Sequence, residues 1–173
     1  MKHCDKRFVC QGRLAFCGLV AITLLSACGW HLRGTIALPD NIESVYIDDR
    51  ASGPELAADI AEVLRSNGVT LSQSMASADL IIVLHEFRQD RRISSVNSNT
   101  IVSEYELISE AEYEIKNAAG ETLLQPGSSR QSRIYTFDQN AVVSAAAEQQ
   151  LIQRELRLDL AQQIVRRLRF LDQ

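Results

Sequence analysis

Between Cys28 and the C-terminus the sequence has no cysteine and a single lysine, Lys116. The other three cysteines, Cys4, Cys10 and Cys17, precede that point. A disulfide framework and a cysteine-based metal site are therefore excluded for residues 28–173. Histidine is equally scarce, with only His31 and His85 after residue 27. They stand far apart in the chain, and a shared metal site would be a coincidence. There is no Gly-rich phosphate loop, no His-Glu-x-x-His and no Gly-x-Ser-x-Gly. An apolar run long enough to cross a bilayer is missing too, since Leu14 to Leu25 spans about a dozen residues. Internal repeats, low-complexity tracts and domain linkers are absent.

What is present begins with a tripartite leader. Lys2, Lys6, Arg7 and Arg13 form a basic head, Leu14 to Leu25 an apolar core, and Ser26-Ala27 a small-residue cleavage site. The box Leu25-Ser26-Ala27-Cys28 resembles the lipobox of bacterial lipoproteins. The resemblance implies a signal peptide over 1–27, a diacylglycerol on the Cys28 thiol and an N-acyl chain, such as palmitate, on its new amino group. Two or three acyl chains anchor a protein stably, at roughly 0.8 kcal/mol per buried methylene. Residues 28–173 are then one domain on a membrane surface, with 146 residues, fourteen basic and twenty-one acidic, a net charge of −7. That balance makes nucleic acid an unsuitable partner. Thirteen of the fourteen cations are arginine, whose planar fork suits phosphate.

The chain then alternates elements. Glu43 to Asp48 reads as a strand. Pro54-Glu55 opens a helix whose stripe is Leu56, Ile60, Val63 and Leu64, ending before Asn67-Gly68. Ser72 to Ala78 is a polar loop, and Asp79 to Leu84 a central strand continuing past Arg91-Arg92-Ile93. Ser94 to Thr100 is a polar, mobile turn. From Ser103 to Lys116 the alternation is regular. Tyr105, Leu107, Ser109, Ala111, Tyr113 and Ile115 share one face, carboxylates and Lys116 fill the other, and Ile108 alone breaks the rule. Asn117 to Gly120 is a hairpin turn, and Pro126-Gly127 marks the return strand as an edge or a bulge. A last helix of about thirty residues, capped by Asp138 or Asn140, carries the stripe Ala145, Ile152, Leu156, Leu160, Ile164, Leu168 and Leu171. The expected fold is α+β, a two-layer sandwich in which two helices cover one face of a mixed four-stranded sheet.

No catalytic constellation emerges. A hydrolase would need a cleft with a Ser or carboxylate held by His85, and none is expected. Two features suit binding. Arg88, Arg91 and Arg92 lie near one loop end, and Arg130 and Arg133 lie on a strand returning toward it, so convergence would make a phosphate grip. The other feature is the acidic outer face of the long hairpin, which suits either solvent or a polar partner surface.

Cys28-Gly29-Trp30-His31-Leu32-Arg33-Gly34 resembles the start of mature lipopolysaccharide-assembly lipoproteins of the LptE family, which open Cys-Gly-aromatic-His-Leu-Arg. Asn67-Gly68-Val69, Ser103-Glu104-Tyr105 and the long final helix fall where that family has them. The resemblance implies a non-enzymatic lipoprotein without cofactors in the outer membrane of a Gram-negative bacterium, anchored on the periplasmic face. Gly29 after the acylated cysteine is similar to lipoproteins released to that membrane. The implied partners are the β-barrel LptD, whose lumen the family plugs and whose assembly it aids, and lipopolysaccharide on its way to the cell surface. Ser and Asn occupy 94–100 where a basic residue would favour lipid phosphates. The alternative is an auxiliary lipoprotein subunit of another envelope transport system.

Overall fold

The computed structural model describes Ile36, Pro39 and residues 42–50, 54–138 and 141–171. The leader 1–27, the Cys28 anchor with its continuation to Gly34, His31, and Asn140 as a helix cap lie outside the described residues.

Among the described residues five strands and two α-helices follow in the order β1 (Ser44–Asp48), α1 (Pro54–Ser66), β2 (Thr70–Leu71), β3 (Leu80–Val96), β4 (Val102–Asn117), β5 (Thr122–Thr136) and α2 (Val142–Arg167). α1 has Glu55 in its first turn and Arg65 in its last, each suited to the dipole end it occupies. It stops at Gly68, whose φ of +83° is a left-handed conformation that glycine adopts without a steric cost. There the Val69 amide donates to the Leu64 carbonyl at 3.0 Å.

The sheet order is β2-β1-β3-β4-β5. β1 runs parallel to β2 and β3, while β3, β4 and β5 form an antiparallel meander. The sheet thus has five strands rather than four. The extra one, β2, is the pair Thr70–Leu71, too short to show an alternation. β3, β4 and β5 contain 17, 16 and 15 residues, roughly 50 Å each at ~3.3 Å per residue. Pro126 falls in a register shift between the Tyr113–Gly127 and Ile115–Leu124 pairs of the edge strand β5. An edge and an irregularity are the two places in a sheet that tolerate its missing N–H.

Both helices contribute to one core on one face of the sheet. Leu56, Ile60 and Leu64 of α1 and Leu160, Ile164 and Leu168 near the α2 C-terminus pack with Val45, Ile82, Leu84, Tyr113 and Ile115. At about 25 cal/mol per Å² of apolar surface removed from water, this burial is the main force holding the two layers together. A second cluster, Leu107, Tyr135, Ile152 and Leu156, lies farther along the strands under the first half of α2. Between the two runs a polar row across the sheet, Gln89–Ser109–Gln131 in register. Gln89 Nε2 donates to Ser109 Oγ (3.0 Å) and to the Gln153 carbonyl (2.9 Å), and Gln131 Nε2 to Gln163 Oε1 (2.7 Å). Ser109, the fully buried member of the row, thereby has a donor for its hydroxyl oxygen, as burial requires.

The N-cap position of α2 is held by Ala141, which has no side-chain cap bond. The Ala141 amide donates to the Asp138 backbone carbonyl at 3.2 Å, so the helix begins after the residue expected to cap it.

Candidate functional site: the two faces of the long strands

A register shift at His85, between the Leu84–Tyr113 and Glu86–Glu112 pairs, decides where the β3 side chains point. One extra residue in a strand moves every later side chain to the opposite face. Before it, Ile82 and Leu84 face the helices; after it, Phe87, Gln89, Arg91 and Ile93 do, opposite Ala111, Ser109, Leu107 and Tyr105. Arg88 and Arg92 therefore face outward with Glu110 and Glu106. On β5, Arg133 lies on the helix side opposite Leu107, and Arg130 on the outer side opposite Glu110.

The five arginines therefore split into two sets on opposite faces instead of forming one grip. On the helix side, Arg91 Nη1 is 3.0 Å from Gln149 Oε1 and its guanidinium lies 4.5 Å over the Tyr105 ring. Arg133 pairs with Glu155 and, at 3.7 Å, with Asp159, both on α2. These two residues fasten the helix to the sheet. On the outer face, Arg88 reaches Glu86 (3.4 Å) and Glu110 (3.1 Å), and Arg130 reaches Glu106 (3.5 Å). Hydrogen bonding to Glu110 stabilises the charged form of Arg88 and raises its pKa. Arg92 makes no ion pair among the described residues.

Glu86, Asp90, Glu104, Glu106, Glu110, Glu112 and Glu114 share that outer face with Arg88, Arg92, Arg130 and Lys116. It is acidic overall, and Glu86 sits directly opposite Glu112, an arrangement that is destabilising in isolation. Ile108, the exception in the alternation, is only 2% exposed at the centre of this face, in line with Asp90 and Ser132.

His85 is partnered by a carboxylate: its Nε2 is 3.3 Å from Glu114 Oε1. The same oxygen accepts from Lys116 Nζ at 2.8 Å, and Thr122 Oγ1 donates to the other at 3.4 Å. The Lys116 bond, aided by the charge of Lys116 and the proximity of His85, holds the Glu114 carboxyl below the usual range. Because the carboxylate lies between His85 and Thr122, the imidazole does not activate the hydroxyl. The open cleft beside His85 is lined by Asp48, Arg50, Val83 and Leu84, and its one carboxylate is already taken up by an arginine. Asp48 serves Arg50, with Arg50 Nε 2.8 Å and Nη2 2.6 Å from its two oxygens. That pairing lowers the Asp48 pKa and leaves the carboxyl engaged. Among the described residues no cluster of His, Cys, Asp and Glu is arranged to hold a metal ion.

Fold and faces together define an α+β module that presents a polar sheet surface. Comparison with known proteins is specific: residues 42–168 match the family model "LptE: Lipopolysaccharide-assembly". The chain belongs to the LptE lipopolysaccharide-assembly family, whose members are lipoproteins without enzymatic activity or cofactor. It is 28% identical over 159 residues to the LPS-assembly lipoprotein LptE of Pectobacterium atrosepticum, covering 86% of this chain and 80% of that one. The LPS-assembly lipoprotein LptE of Photorhabdus laumondii is 26% identical over 155 residues, 86% of this chain and 81% of that one. Among solved structures it is similar to lipoprotein B of Nitrosomonas europaea, with a TM-score of 0.69 and 26% identity over 82% of this chain and 90% of that chain. A minor lipoprotein of Acinetobacter baumannii has the same fold, with a TM-score of 0.62, 24% identity, and coverage of 75% and 92%. No helix among the described residues is long and apolar enough to cross a membrane.

Sequence reasoning missed the register shift at His85 and the polar row under α2. The first left one signal: after Leu84 a single polar residue, His85, precedes Glu86 and Phe87, where strict alternation from Ile82 and Leu84 would put an apolar residue at 86.

Proposed function

We propose that residues 28–173 form one domain, released from a signal peptide over 1–27 and anchored through acyl chains on Cys28 to the periplasmic face of the outer membrane. There the domain plugs the lumen of an LptD-like β-barrel, helps it assemble, and assists delivery of lipopolysaccharide to the cell surface. The observation that carries this reading is the outer face of β3–β5, three strands long with seven carboxylates and four cations. Such a face suits the polar interior of an outer-membrane barrel and would be costly against an apolar surface.

The experiment is copurification of the lipidated chain from outer membranes, with mass identification of what accompanies it and of the N-terminal residue. The expected result is a β-barrel partner and a triacylated Cys28. Recovery of a different envelope transporter, or a free Cys28 thiol, would overturn the proposal.

Of the five arginines, Arg88, Arg92 and Arg130 are the ones that face outward and can meet lipopolysaccharide phosphates without dismantling the helix contact. Replacing these three by Ala should weaken lipopolysaccharide binding while the melting temperature stays within a few degrees. Unchanged binding would remove them from the site. Replacing Arg91 and Arg133 should act mainly on stability.

A further inference from the structure

β5 is the edge of the sheet, and no described residue pairs with its open side. From Gly127 to Thr136 its register against β4 is unbroken, with Tyr113 opposite Gly127 and Glu104 opposite Thr136. The Phe137 amide donates to the Ser103 carbonyl directly opposite it, at 2.9 Å. In an antiparallel pair, hydrogen-bonded and non-bonded positions alternate. Residues 127, 129, 131, 133 and 135 therefore turn their backbone groups toward β4. Ser128, Arg130, Ser132, Ile134 and Thr136 turn theirs outward from the sheet, and all five residues are exposed.

Natural edge strands are usually blunted by proline, bulges, lysine or short length. β5 has such devices only at its start, where Pro126 and the register shift beside it interrupt pairing. Its second half is long and regular, with no such device beyond the charges of Arg130 and Arg133. β5 also has two cations, Arg130 and Arg133, and no Asp or Glu. Arg133 is already paired with Glu155 and Asp159, but Arg130 has only a 3.5 Å contact with Glu106; a second copy of this strand would bring it no carboxylate, whereas a strand bearing Asp or Glu would.

We infer that the β5 edge from Ser128 to Thr136 is a strand-addition site that takes an extended segment of the barrel partner, with a carboxylate set beside Arg130. The inference rests on the proposed barrel partnership and names the part of this chain that engages it through the backbone. Main-chain hydrogen bonds give such an addition its strength, and alternate side chains give it specificity. Ile134, 57% exposed, supplies an apolar contact at the outer face of the same edge.

Amide hydrogen exchange, read residue by residue, tests this on the free domain and on the copurified lipoprotein–barrel complex. In the free domain the amides of Ser128, Arg130, Ser132 and Ile134 should exchange quickly, and those of Ser129, Gln131 and Arg133 slowly. In the complex the first set should slow by at least about a hundredfold. Ser132→Pro removes one outward amide and no ladder bond; it should leave the free domain folded by circular dichroism and reduce recovery of the barrel about tenfold. Gln131→Pro, which breaks the ladder itself, is the control for a folding defect. A complex whose outward amides still exchange quickly, or full barrel recovery with Ser132→Pro, overturns the strand addition and leaves the partnership standing. Failure to recover any barrel with the unaltered chain overturns both, and a free domain that self-associates through these amides overturns the choice of partner.

Discussion

The two ends of the sandwich are built differently. Near β1 the core is continuous: two helices and three strands bury Val45, Leu56, Ile60, Leu64, Ile82, Leu84, Ile115, Leu160, Ile164 and Leu168 together. Beyond the Gln89–Ser109–Gln131 row, α2 alone covers the sheet, and the buried apolar set shrinks to Leu107, Tyr135, Ile152 and Leu156, with Tyr105 packed beside them. Polar contacts do more of the fastening there, through Arg91 with Gln149 and Tyr105, Tyr135 Oη with Gln149, and Arg133 with Glu155. The lesson is a division of labour. The near end supplies the stability, and the far end presents the long strands, held by interactions that are individually weak.

The largest expected effect follows from emptying the near core. Leu160→Ala, at a fully buried position, should cost about 3–4 kcal/mol in urea unfolding followed by circular dichroism. The equivalent change at the far end, Leu156→Ala, should cost only about 2 kcal/mol, because a small cluster beneath a single helix collapses into the void more readily. Equal losses at the two sites would break the comparison.

Gln89→Leu should cost about 1 kcal/mol by leaving Ser109 Oγ without its donor. Adding Ser109→Val should recover most of that loss and join the two apolar clusters, so that exchange protection of the far-end amides rises toward that of the near end. If the double variant is no better than the single one, the polar row is not what separates them.

The smallest effect concerns acid. The folded-state pKa of Glu114 lies below its ordinary value of 4.5, so its contribution is complete above that value and disappears as pH falls through the folded pKa. Glu114→Gln should therefore cost about 0.5–1 kcal/mol at neutral pH and nothing well below pH 4.5. Asp48, lowered by Arg50, behaves with the same sign. Both lie at the near end, so acid should weaken that end first, as seen in exchange rates across a pH series.

Much of this architecture is legible in the residues. The Leu56–Ile60–Val63–Leu64 stripe bounded by Pro54 and Gly68 gives α1 as found, Pro54–Ser66. The alternation of β4 assigns its faces correctly, because a two-residue period distinguishes core from exterior wherever one face is covered. The stripe of α2 from Ala145 to Leu168 is buried as expected. What escapes is what depends on the partner strand. β2 exists only because Thr70–Leu71 lies beside β1, and the shift at His85, marked in the sequence only by the polar residue at 86, is fixed by its pairing with β4. The division of the five arginines between two faces follows from the two-residue period itself, since Arg91 and Arg92, like Arg130 and Arg133, differ in parity; the shift decides only which face each β3 arginine takes. The α2 start escaped for a different reason: its N-cap position falls to Ala141, which has no capping side chain to mark it.

The most direct test of the whole account places a photo-crosslinking residue at Glu112, on the outer face, and separately at Leu158, an exposed position on α2. Crosslinking in intact cells should join the Glu112 variant to an outer-membrane β-barrel. A Glu112 variant that captures no barrel, while the Leu158 variant does, would show that the sheet faces solvent and would contradict the account.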